Sequence, residues 1–116
     1  MSDVITREEL RQKLGRRPAP VLVETLPANY FQQSHLPGAI NIPHDSVDKL
    51  ATRLLPDKDA EIVVYCASIT CHNSDYAAAR LKALGYRDVR VYADGKADWI
   101  EAGLPIETGE KLRAAS

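Results

Sequence analysis

Cys66 and Cys71, the two cysteines of the chain, stand in one polar stretch, Cys66-Ala67-Ser68-Ile69-Thr70-Cys71-His72-Asn73. A thiolate is a nucleophile, and a thiol is activated when it lies at a helix amino terminus or beside a cation. Cys66 follows the apolar run Ile62-Val63-Val64-Tyr65, and a helical pattern starts at Ser74. This order puts a thiol at the carboxyl end of a buried strand and beneath a helix amino terminus, where unpaired N–H groups and the helix dipole favour an anion. Cys66 is therefore the expected nucleophile. Cys71 is either a resolving thiol that closes a disulfide on Cys66 or a loop residue without consequence. A curled loop of this length permits the roughly 5.5–6 Å Cα separation of a disulfide without demanding it. His72 could supply a proton or a positive charge, or simply stand in solvent. Ser68 and Thr70 can donate to a bound sulfur or oxyanion, or satisfy neighbouring backbone. The spacing of Cys66, Cys71 and His72 is not that of haem attachment, and no second ligand cluster suits zinc, so neither metal nor cofactor is expected.

The elements that must position this loop follow from pattern. Thr6-Arg7-Glu8-Glu9 fits a capping box, with Leu10 and Leu14 as the apolar face and Gly15 as the stop. Val21-Leu22-Val23 reads as a strand buried on both faces and ended by Glu24, which either orients the active loop or is an exposed carboxylate. Pro27 opens a short helix through Tyr30 and Phe31, His35 to Gly38 is a turn, and Ala39 to Ile42 is a second short strand. Val47, Leu50, Ala51 and Leu54 mark an amphipathic helix ended by Pro56. After the cysteine loop, Ala77, Leu81 and Leu84 make an apolar stripe, capped by Asn73 or Ser74 and stopped by Gly85. Val89 and Val91 mark a further strand, Asp94-Gly95-Lys96 a turn, and Ala97 to Ala102 a short helix on which Trp99 packs against the sheet. His35 reads as structural. Strands alternating with helices imply crossovers and a mainly parallel sheet.

The 116 residues suit a single domain, 1–116, with a core from about 6 to 106 and a frayed tail over 107–116. With 45% apolar residues, 27% charged residues and a net charge of −1, the composition gives no support for nucleic-acid or membrane-surface binding. The first residues lack the pattern of a signal peptide, and no apolar run approaches the roughly 20 residues that span a bilayer. The expectation is a cytoplasmic monomer whose cysteines are thiols rather than a structural disulfide.

Five motifs in register carry a resemblance. They are Leu22-Val23-Glu24; Ser34-His35-Leu36-Pro37-Gly38-Ala39-Ile40-Asn41-Ile42-Pro43; Ile62-Val63-Val64-Tyr65-Cys66; Leu84-Gly85-Tyr86; and Val91-Tyr92 with Gly95, Trp99 and Gly103-Leu104-Pro105. In this the chain resembles the rhodanese-like domain family from about Thr6 to Ile106. The resemblance implies an α/β, three-layer fold, a five-stranded, mostly parallel sheet with helices on both faces. It also implies a sulfurtransferase in which Cys66 accepts a sulfane sulfur as a persulfide and passes it to a thiol or other nucleophile. The amides of Ala67 through Asn73 would surround that sulfur; Cys71, if it is the resolving thiol, would attack the persulfide. The implied partners are a small sulfur donor and a thiol acceptor, or a partner protein.

The chain departs from the family where charge matters. The common family loop is Cys-x-x-x-x-Arg-Ser; here the loop to Ser74 is two residues longer, with Asn73 in the arginine's place. The strand signature Asp-Val-Arg is Glu24-Thr25-Leu26. Loss of both guanidinium groups argues against tight binding of a dianion such as thiosulfate and favours a persulfide donor. Phosphatase chemistry, found on a related branch of the fold, would lose most of its electrostatic stabilisation without that clamp. Two alternatives to the enzyme stand: a binding or regulatory module that has lost efficient catalysis, and a Cys66–Cys71 thiol–disulfide switch.

Overall fold

A computed structural model describes residues 3–109. Helix α1 (Arg7–Leu14) begins on the expected capping box: the Glu9 amide donates to Thr6 Oγ1 at 3.1 Å, and the Thr6 amide donates to Glu9 Oε1 at 2.9 Å. Strand β1 (Val21–Glu24) follows, then α2 (Ala28–Gln33), β2 (Ile40–Asn41), a 3₁₀ turn (His44–Ser46) and α3 (Val47–Leu54). Strand β3 (Glu61–Tyr65), α4 (Asn73–Ala83), β4 (Asp88–Tyr92) and α5 (Gly95–Glu101) complete the described order.

The sheet is parallel throughout, in the order β2-β1-β3-β4, so β1 and β3 are central. Alternation along the strands divides the core between two faces. Val23, Ile62, Val64, Val89 and Val91 pack with Val47 and Ala51 of α3 and Ala77 and Leu81 of α4. Leu22, Val63, Tyr65 and Tyr92 pack on the other face with Leu10, Phe31 and Trp99, from α1, α2 and α5. The three layers are thus helices, sheet and helices. Among the described residues no helix is long and apolar enough to cross a membrane.

The sheet has four strands where five are expected. The missing edge is reduced to one parallel bridge, Val4 to Val91, with the Ile5 amide donating to the Val91 carbonyl and the Val91 amide to the Asp3 carbonyl. Thr6 turns the chain into α1 directly afterwards, so pairing cannot continue along β4. Of the expected tail, 110–116 lie outside the described residues. Its first residues are tied down: the Glu107 amide donates to the His35 carbonyl at 2.8 Å and the Gly109 amide to the Gln32 carbonyl at 2.7 Å.

Candidate active site

The site begins where β3 runs out. Tyr65 is the last residue of the strand, flanked by Glu24 on β1 and Tyr92 on β4. The amide and hydroxyl of Thr25 both donate to its carbonyl at 3.0 Å. Cys66 is the next residue and is 1% exposed. Its carbonyl accepts the Lys96 amide at 2.8 Å, and the Ala67 carbonyl accepts the Ala97 amide at 2.8 Å. The first turn of α5 therefore fastens the backbone that carries the sulfur. This approach requires Gly95. Its φ is +74°, and a Cβ there would lie 2.7 Å from the Cys66 carbonyl oxygen and 2.9 Å from the Ser68 nitrogen. The segment Asp94-Gly95-Lys96, expected as a turn, instead contributes the first two residues of α5.

The loop from Cys66 to His72 contains one tight turn, closed by the Cys71 amide donating to the Ser68 carbonyl at 3.0 Å. The Cys66 thiol donates to the Cys71 carbonyl oxygen at 3.2 Å and lies 3.6 Å from the Ser74 hydroxyl. Ser74 is buried in the first turn of α4 and faces the sulfur instead of capping the helix. The cap position belongs to His72, whose side chain makes no capping bond. Both cysteines are free thiols.

The two thiols divide the site's electrostatics unequally. Burial pushes the Cys66 thiol up, and its hydrogen bond to Cys71 adds to this; the amide and hydroxyl of Ser74 pull it back only in part. Burial also pushes Cys71 up, but hydrogen bonds from the Cys66 thiol and from the Ala67 and Asn73 amides outweigh it and hold Cys71 below the ordinary thiol range. The thiolate expected on Cys66 is not favoured: burial prevails there, and the thiol held below the ordinary range is that of Cys71.

The remaining loop residues face outward. Ser68 and Thr70 hydroxyls bond to each other at 3.1 Å, Ile69 is 60% exposed, and His72 pairs with Asp75 at 3.2 Å on the solvent side. Ala67 is exposed, and Asn73 is half-buried.

Beside the loop lies a group that sequence reasoning missed. Glu24, expected to be an orienting group or an exposed carboxylate, is fully buried and paired with Lys96 at 3.0 Å. The Tyr65 hydroxyl donates to its other oxygen at 3.0 Å and accepts the Leu36 amide at 3.0 Å. Lys96 also donates to the carbonyls of Ser34 at 2.8 Å and Tyr30 at 3.2 Å. Burial pushes the Glu24 carboxyl up against the opposing pull of Lys96 and Tyr65, and it pushes the Tyr65 phenol up so that it stays a donor. The available signal was a carboxylate ending an otherwise apolar central strand, which needs a buried cation. His35 is structural as expected: it stacks on Phe31 at 3.8 Å and bonds to the Phe31 carbonyl at 2.8 Å. Trp99 is buried against Tyr92 and donates to the Pro105 carbonyl at 2.7 Å.

A family model described as Rhodanese-like domain matches residues 6–102, nearly all of the described chain. The chain belongs to the rhodanese-like domain family. An HTH-type transcriptional regulator of Mycobacterium tuberculosis is 40% identical over 110 residues, which cover 92% of this chain and 46% of that protein. A thiosulfate sulfurtransferase of Pseudomonas aeruginosa superposes with a TM-score of 0.81 at 28% identity, covering 94% of this chain and 20% of that one. A rhodanese of Escherichia coli, solved with anions, superposes with a TM-score of 0.66 at 31% identity, covering 78% of this chain and all of that one. This rhodanese-like chain thus spans less than half the length of the regulator and a fifth of the larger sulfurtransferase.

Proposed function

We propose that this rhodanese-like domain is a sulfurtransferase that carries a sulfane sulfur on Cys66 and hands it to a thiol. The observation that supports it most is the placement of Cys66 at the carboxyl end of β3. There its carbonyl is fastened by the first turn of α5, and its sulfur lies 3.6 Å from the Ser74 hydroxyl. In the transfer, the donor's outer sulfur bonds to the Cys66 sulfur and the donor leaves as a thiol. An acceptor thiolate then takes that outer sulfur and releases Cys66. Neither arginine of the usual family signatures is present, and Lys96 is committed to Glu24. A persulfide of a small thiol, or of a partner protein, therefore suits the loop better than a dianion. Thiol chemistry of this kind fits a reducing, cytoplasmic setting.

The test is sulfur transfer from glutathione persulfide to a thiol acceptor or cyanide. Transfer by the wild-type chain that Cys66→Ser abolishes supports the reading; full transfer by Cys66→Ser overturns it.

One observation favours a second reading, a rhodanese-fold module that binds a partner without turning sulfur over. Cys66 is 1% exposed, and burial holds its thiol up. On this reading no donor leaves a sulfur adduct on the protein.

A further inference from the structure

We infer that the Cys66–Cys71 pair gives the domain a second activity, reduction of the bound sulfane sulfur to hydrosulfide by closure of a disulfide between the two cysteines. This rests on the proposed persulfide at Cys66 and deepens it by naming where the sulfur goes when no acceptor takes it.

The geometry leaves a persulfide on Cys66 little other company. The Cys66 sulfur is 3.2 Å from the Cys71 carbonyl oxygen and 3.6 Å from the Ser74 hydroxyl, and the residue is 1% exposed. The Cys66 sulfur is held against the backbone of Cys71 itself, and both cysteines are free thiols in one loop closed by the Cys71 amide on the Ser68 carbonyl. Cys71 is only partly buried, so it keeps access to solvent and to small thiols. Cys71 is also held below the ordinary thiol range, which favours its thiolate, the form that attacks a sulfur–sulfur bond.

The Cys71 thiolate can attack either sulfur of the persulfide. Attack on the outer sulfur would only move the persulfide to Cys71, from which it can return to Cys66. Attack on the inner sulfur expels hydrosulfide, and exchange runs faster through the better leaving group. In that step the Cys66–Cys71 sulfur–sulfur bond forms as the bond to the outer sulfur breaks. Its electron pair leaves on the outer sulfur as hydrosulfide. The sulfane sulfur gains two electrons and the two cysteines lose two. An external dithiol, or two molecules of a low-molecular-weight thiol, reduces the disulfide and is itself oxidised. The net reaction is a thiol-dependent persulfide reduction that needs no metal at the loop.

Chains reduced, loaded anaerobically with glutathione persulfide and desalted provide the test, read by released hydrosulfide and by intact mass. The wild-type chain is expected to release one hydrosulfide per loaded chain and end two hydrogens lighter than the dithiol, with Cys66 and Cys71 joined in the peptide map. Cys71→Ser, and independently Cys71→Ala, are expected to trap one added sulfur atom and release none. Wild type that keeps its added sulfur as long as either variant overturns the inference and leaves the sulfurtransferase reading standing. Variants that are folded but take up no sulfur overturn the persulfide reading itself, and the inference with it.

Discussion

At the carboxyl ends of β1 and β3, two polar groups of residues sit side by side and are built in opposite ways. Glu24, Tyr65 and Lys96 are buried, and each has partners within 3.2 Å drawn from strands, helices and loop carbonyls. The cysteine loop holds its backbone by α5 and one tight turn, while Ile69 and His72 stand in solvent and the Cys66 thiol meets the Cys71 carbonyl and the Ser74 hydroxyl. The difference separates support from chemistry. Lys96 belongs to both groups: its side chain closes the ion pair and its amide holds the Cys66 carbonyl. Order in the buried group is thereby passed to the backbone under the sulfur. The groove of about 560 Å³ lined by Arg11, Leu14, Arg17, Pro20 and Trp99 includes no residue of the cysteine loop in its lining.

Breaking each group in turn sharpens the contrast. Cys66→Ser should have the largest effect, reducing sulfur transfer to background while leaving the urea midpoint close to wild type. Lys96→Ala should lower stability by about 3–5 kcal/mol, because it leaves a buried carboxylate without its cation. The paired change Glu24→Gln with Lys96→Met should recover much of that loss. An unmoved urea midpoint in Lys96→Ala would remove the buried pair from the account. Gly95→Ala should cost about 1–3 kcal/mol through its positive φ and should also slow sulfur loading. The Cys66 carbonyl and the Ser68 nitrogen must shift to admit the new Cβ.

The two thiols give a pH test with opposite signs. Cys71 lies below the ordinary thiol range, so its thiolate fraction, and its alkylation by iodoacetamide, should rise at lower pH than those of a free cysteine. Cys66 lies above that range, so its alkylation should rise only at higher pH. Peptide mapping after brief labelling near neutral pH should find Cys71 modified first, and preferential labelling of Cys66 would reverse the assignment. The smallest effect belongs to His72→Ala. An exposed pair with Asp75 contributes little, so stability should change by no more than about 0.5 kcal/mol and transfer should be unaltered.

What the sequence revealed, and what it concealed, follows from the range over which each feature is decided. Val21 to Val23 and Ile62 to Tyr65 are short β-branched or apolar runs of strand length that suit a buried strand, and Thr6 and Glu9 settle their helix start between themselves. Cys66 could be found because its position depends only on where β3 ends. Lys96 was hidden because a lysine after Asp94-Gly95 reads as a solvated turn, and its partner Glu24 is 72 residues away in the chain. Which cysteine is held below the ordinary thiol range depends on how the residues between them curl, and spacing alone does not decide that. The edge of the sheet failed for a similar reason, since a single bridge at Val4 leaves no alternating pattern to read.

The most direct test of the central claim, that Cys66 carries the sulfur, is the intact mass of Cys71→Ser after exposure to glutathione persulfide. The account predicts one added sulfur atom that is discharged by a thiol acceptor and is absent when Cys66→Ser is combined with Cys71→Ser. A folded Cys71→Ser chain that takes up no sulfur would contradict it.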